Sequence, residues 1–219
     1  MSASRLLACL PLFVFAATVS AASLSAREQK IAAAVDADQA RSVALLQRLV
    51  EQNSGTYNLP GVEAVARMLT PEFEALGFRV RWKPMRQTAR AGHLVASHAG
   101  SGKGKRLLLI GHLDTVFEPD SPFKGFRREG QHAIGPGVGD DKGGDVVMLA
   151  ALRAMQAAGT LRDADIEVVL TGDEEDVGSP LASARADLIA AGKRADVALD
   201  FENLAQEDGH DMGSIARRS

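Results

Sequence analysis

Four large apolar residues in succession at positions 107–110, Leu-Leu-Leu-Ile, stand out in a chain whose other segments are mostly amphipathic. A run without polar alternation suits a strand buried on both faces, as in a parallel sheet. This one ends in Gly111-His112-Leu113-Asp114-Thr115-Val116. Residues 166–170 form a second run, followed by Thr171-Gly172-Asp173-Glu174-Glu175-Asp176, and 197–201 a third, followed by Glu202-Asn203. Helical spacing lies between them. Met148, Ala151, Leu152 and Met155 recur at i, i+3, i+4 and i+7 and predict a helix after Gly144, with a core-packing stripe; residues 179–191 predict another. Alternating strands and helices imply right-handed crossovers. The predicted fold class is therefore α/β, a mostly parallel sheet sandwiched by helices.

The first hundred residues add to this layer structure. A helix is predicted over 23–51, with Val43, Leu46 and Val50 on one face beside Leu45 and Leu49, broken by Asn53-Ser54-Gly55-Thr56. Val62, Val65, Ala66, Leu69, Phe73 and Leu76 mark a second helix. Pro71 is expected to kink or restart it, with Thr70 as an N-cap, and Gly77 to stop it. Phe78, Val80 and Trp82 alternate with Arg79 and Arg81, the pattern of a strand with one wet face. Residues 94–97 read as a short, weak strand, and Ser101-Gly102-Lys103-Gly104-Lys105 as a hairpin-like turn into the strand at 107.

Composition narrows the chemistry. The 219 residues are 46% hydrophobic and 24% charged with a net charge of -3, ordinary for a globular protein and without the basic excess that nucleic acid requires. Residues 1–21 read as a signal peptide: Arg5 supplies the positive start, 6–18 an apolar stretch too short to span a bilayer, and Val19-Ser20-Ala21 small residues for cleavage. The mature chain, 22–219, is expected to be exported to the periplasm or secreted, with no membrane span. Cys9, the only cysteine, leaves with that segment, so disulfides and thiol catalysis are excluded. Any metal must be held by histidine and carboxylates.

His112, Asp140, Glu174, Glu175 and Glu202 follow buried strands or open the loops after them. Parallel strands bring such ends to one edge of a sheet, where ligands and catalytic groups gather. One histidine and several carboxylates suit zinc, and a shared carboxylate suits two. Taken singly each signal is weak: His-x-Asp is common, and Asp-Glu-Glu-Asp alone reads as a solvated charge run. Gly135-Pro136-Gly137-Val138-Gly139 lacks the GxGxxG form of a dinucleotide loop, and its following Asp140-Asp141 would repel phosphate. The alternating acidic pattern and glycine of a calcium-binding EF-hand are missing as well.

Together, HLDTV, GPGVGDDKGG, TGDEEDVGS and ALDFEN resemble the co-catalytic zinc peptidase family of carboxypeptidase G (glutamate carboxypeptidases), aminoacylase and acetylornithine deacetylase, from about residue 32 onward. The resemblance implies a zinc exopeptidase-like catalytic domain and two Zn2+ per complete site. By it His112 and Glu202 bind one zinc, Glu175 the second, and Asp140 bridges them. Asp114 orients His112 and Glu174 is the general base, with Asp200 a nearby competitor for the place of Glu202. It further implies a cis peptide between Asp140 and Asp141, a packing role for Gly143 and Gly144, and charge balance by Lys142.

The implied reaction is cleavage of an amide or peptide bond through a metal-bridged water, by a carboxypeptidase, dipeptidase or N-acyl-amino-acid deacylase. The substrate would be a small peptide or N-acyl amino acid. In the family a lid and dimerisation domain follows the fourth motif, and a later histidine completes the second zinc site. None of His93, His98, His132 or His210, the last read as lying in an exposed polar loop, matches it. The sequence therefore reads as the N-terminal part of such a domain, cut short before the lid through which a full-length protein would form a homodimer. The rival functions are a metal-binding protein without turnover, expected of an incomplete domain, and an interaction domain that has lost its metals. Metal content and amide hydrolysis separate the three.

Overall fold

The computed structural model describes residues 24–203, 205–207 and 210–212; residues 1–21, read above as a signal peptide, lie outside them, Cys9 included. Helix α1, Ala26–Glu51, starts from a capping box. The Ser25 hydroxyl accepts from the Glu28 amide at 3.3 Å, and the Glu28 carboxylate accepts from the Ser25 amide at 2.7 Å. Helix α2, Leu59–Glu74, is capped by Asn58. It runs through Pro71 without restarting, so Thr70 is no N-cap; its hydroxyl instead donates to the Ala66 carbonyl at 2.8 Å. Gly77, at φ +85°, does end the segment as expected, with Phe78 N–H bonded back to Phe73 O at 3.2 Å.

The main sheet contains β1 (Arg79–Pro84), β2 (Gly92–His98), β3 (Arg106–His112), β6 (Asp165–Thr171) and β7 (Val197–Asp200), in the order β1-β2-β6-β3-β7. Strands β6, β3 and β7 are parallel, and β2 runs antiparallel to both its neighbours. Two hairpins stand apart: β4 (Arg127–Glu129) with β5 (His132–Ile134), and β8 (Ala205–Glu207) with β9 (His210–Met212). His210 is thus in a strand rather than a loop. Helix α3, Lys142–Ala157, begins three residues earlier than expected, and the helix expected over 179–191 is two helices, α4 (Leu181–Ala184) and α5 (Ala186–Arg194), the second running three residues further.

Alternation along the strands divides the core into two layers. Leu94, Ala96, Leu109, Val168 and Leu170 face α1, α2 and α3 together with Leu49, Leu69, Phe73, Met148 and Leu152. Val95, Leu108 and Val169 face α5 around Ala191. Each fully buried large side chain contributes about 1.5–3 kcal/mol of transfer free energy.

Three further expectations are corrected. Strand β2 is seven residues long and mostly buried, not short and weak. The segment after it makes no hairpin, because β6 lies between β2 and β3. It crosses over the start of β6 instead, where the Asp165 carboxylate accepts from the Gly100 amide at 2.8 Å and the Gly102 amide at 3.1 Å. Strand β7 is an edge with three of its four residues exposed, and no described strand pairs with its outer side.

Candidate metal centre

Strand β3 delivers His112 to the carboxyl edge of the sheet with only 2% of its side chain exposed. Its Nε2 lies 2.9 Å from Asp140 Oδ1, at the end of the Gly-rich turn before α3, and 3.2 Å from Glu202 Oε2, two residues beyond β7. These are the three residues whose ligand atoms cluster closely enough to share a metal ion among the described residues. Asp200 is not in the cluster. The turn closes tightly beneath it: a Cβ on Gly144 would stand 2.2 Å from the Phe201 carbonyl, so helix α3 approaches β7 only through glycine. A Cβ on Gly143 would stand 2.2 Å from the Val138 carbonyl in the same way. The Asp140–Asp141 peptide bond is cis.

Asp114 is wholly buried and supports both halves of the site. Its backbone carbonyl accepts from His112 Nδ1 at 3.0 Å, closer than its carboxylate at 3.5 Å, so the main chain does more than the side chain to hold the ring. The carboxylate accepts instead from the Glu174 amide at 3.0 Å, the Glu175 amide at 3.2 Å and the Thr56 hydroxyl at 2.7 Å. Sequence reasoning missed Thr56, visible there only as part of a helix-breaking stretch. It is placed by a local bridge in which the Thr115 amide bonds to Ser54 O at 3.0 Å and the Thr56 amide to Thr115 O at 3.2 Å. Glu174 is exposed and Glu175 half-buried on the loop after β6.

The electrostatics show what the cluster lacks. Burial pushes the His112 imidazolium towards deprotonation, but hydrogen bonding to Asp114 and the charges of Asp114, Asp141 and Asp145 overcome this and raise it to about 11. Glu175 is raised to about 7, first by burial and then by the charge of Asp140. Glu174 is also raised, chiefly by burial. Asp141 and Asp145 are fully buried, and none of their four carboxylate oxygens has a hydrogen-bond partner. Burial above all raises both, Asp141 to about 8. Lys142 does not cap them: its ammonium donates to the Gln52 carbonyl at 2.8 Å, and burial lowers it to about 8. So many carboxyls around one imidazole make a site short of positive charge, which is the donor chemistry of a divalent cation.

A pH dependence follows for the metal-free chain. Folded, Asp141 and His112 hold protons more tightly than their ordinary ranges allow, so between pH 5 and 8 the native state carries more protons than the unfolded one. Stability then falls as pH rises, by about 1.4 kcal/mol per pH unit for each extra proton held. Thermal unfolding in chelator should give a lower Tm at pH 8 than at pH 5.5; a higher one would contradict the charge assignment.

A mixed sheet with helices on both faces and a histidine–carboxylate cluster at its carboxyl edge define an α/β protein with a candidate metal centre. Residues 108–215 match peptidase family M20/M25/M40. The chain is 34% identical over 184 residues to carboxypeptidase G2 of Pseudomonas sp. (strain RS-16), covering 83% of this chain and 43% of that protein. Its fold is similar to human carnosine dipeptidase 1, with a TM-score of 0.64 at 18% identity over 81% of this chain and 41% of that one. It is also similar to an M20 family metallo-carboxypeptidase from Sulfolobus solfataricus, with a TM-score of 0.60 at 20% identity, covering 73% and 36%. The chain spans less than half the length of these relatives.

Proposed function

We propose that this chain carries the catalytic residues of an exported zinc-dependent hydrolase that cleaves amide or peptide bonds in small peptides or N-acyl amino acids. The observation that carries the reading is the convergence of Asp140 and Glu202 on His112 Nε2, beside a loop bearing two further carboxyls. His112, Asp140 and Glu202 would hold one zinc, and Asp140 with Glu175 a second. The chemistry supplied there when metal is bound is polarisation of the scissile carbonyl and acidification of a water.

Glu174 is the proton carrier. Burial raises its carboxyl above the ordinary glutamate range, as suits a general base, and its backbone amide is pinned to Asp114, which leaves the side chain free to face substrate. It takes the proton of the attacking water and returns it to the departing amine. His112 keeps Nε2 turned to the ligand position because Nδ1–H donates to the Asp114 carbonyl.

No helix among the described residues is long and apolar enough to cross a membrane. Export is read from the first 21 residues. Purification tests both parts of the proposal. Protein recovered from the periplasm or culture fluid should begin near residue 22. Hydrolysis of dipeptides or N-acyl amino acids by the full-length protein should vanish with chelator and return with zinc, whereas residues 22–219 alone should hydrolyse them poorly or not at all. Turnover that persists in chelator would refute the metal-dependent reading.

A further inference from the structure

The loop carrying Glu174 and Glu175 leaves β6 at Thr171 and must hold its shape without regular secondary structure. Asp173, immediately before Glu174, is fully buried. Its Oδ2 accepts from the Gly178 amide at 3.0 Å, closing the loop on itself. Its Oδ1 accepts from Arg185 at 2.6 Å, and a second guanidinium nitrogen donates to the Asp173 carbonyl at 3.0 Å. The side chain of Arg185 is 16% exposed and stands at the junction of α4 and α5. That junction is itself anchored, since the Ala184 carbonyl lies 3.0 Å from His93 Nε2 on β2. One planar fork thus fixes both the side chain and the main chain of the residue preceding Glu174. A lysine, with a single compact head, cannot reproduce this.

We propose that Arg185 is a positioning residue for the Glu174–Glu175 pair: through Asp173 it sets the height at which their amides meet the Asp114 carboxylate. Its place in the reaction rests on the functional reading above, but the contact and its test do not. Removing the guanidinium leaves a buried carboxylate without its cation, a penalty best relieved by opening the loop towards water. The disturbance is local because β6, upstream, is secured by two neighbouring strands.

Arg153 supplies the control. It is also a buried arginine, holding Asp38 and Glu72 at 2.8 Å each, but on the helical layer away from the site. Native-state amide exchange on the metal-free chain separates the roles. Arg185→Met should cut protection of the Glu174, Glu175 and Gly178 amides about tenfold or more while Val168 and Val169 keep theirs. Arg153→Met should lower Tm and leave the three loop amides in step with the rest of the chain. Arg185→Lys, which keeps the charge without the fork, should restore part of the protection. If Arg185→Met does not fold, Arg185→Lys is judged by the same local loss. Unchanged protection at Glu174 and Glu175, or a loss spread evenly over the chain as for Arg153→Met, would overturn the proposal. Because no turnover is measured, failure here is distinct from failure of the catalytic assignment.

Discussion

Glu174→Gln is expected to leave metal content unchanged and lower kcat of the active enzyme by about 10²–10⁴-fold, the usual cost of losing a general base. The amide keeps the side chain's shape and the backbone bond to Asp114, so the loop should stay in place. What disappears is the capacity to accept a proton. Burial raises the carboxyl's affinity for protons, which favours its taking a proton from water. KM should change little, and the limb of the pH–rate profile that reports Glu174 should vanish with the activity. Near-normal kcat in a metal-loaded Gln variant would remove Glu174 from the mechanism.

The second large effect is expected at His112. Its Nε2 is the point on which Asp140 and Glu202 converge, so His112→Ala leaves two carboxylates facing each other with no neutral donor between them. Zinc affinity should fall by more than the roughly 10–100-fold that loss of an outer hydrogen-bond partner costs. Competition titration against a chromophoric chelator reads this directly. The parent chain should hold one zinc more tightly than a second, because the triad offers three ligand groups where Asp140 and Glu175 offer two. Undiminished zinc binding by the alanine variant would dissolve the proposed first site.

What the sequence made legible follows from where each signal is stored. The runs at 107–110 and 166–170 announce buried strands because β3 and β6 are flanked on both sides and covered on both faces, which demands mostly apolar residues, Glu167 alone reaching out to pair with Arg194. The carboxyl ends of those strands placed His112 and the Glu174–Glu175 loop at one edge. Strand β2 escaped the same reading because His93, Ser97 and His98 interrupt its apolar run. His93 is nevertheless buried, its ring nitrogens meeting the Ala184 carbonyl and the Gly172 amide. The position of β6 between β2 and β3 was not legible either, since pairing between distant segments leaves no local mark. Val197-Ala198-Leu199 looks like core but forms an edge, and Leu199 is 47% exposed. Thr56 and Arg185 were invisible as site residues, as ordinary side chains whose importance comes only from what stands opposite them.

The buried position of Asp114 gives this centre an unusual error structure. One residue carries the imidazole on its main chain and the two glutamate amides on its side chain, so displacements of the ligand and of the base share a common origin. Faults introduced at Thr56, Asp114 or the 173–178 loop therefore propagate together instead of accumulating independently. Substitutions among them should combine to less than the sum of their separate costs, because the first to shift Asp114 has already spoiled what the second would disturb. The geometry is correspondingly tolerant of small movements of the whole edge, which carry His112 and Glu174 along as one body.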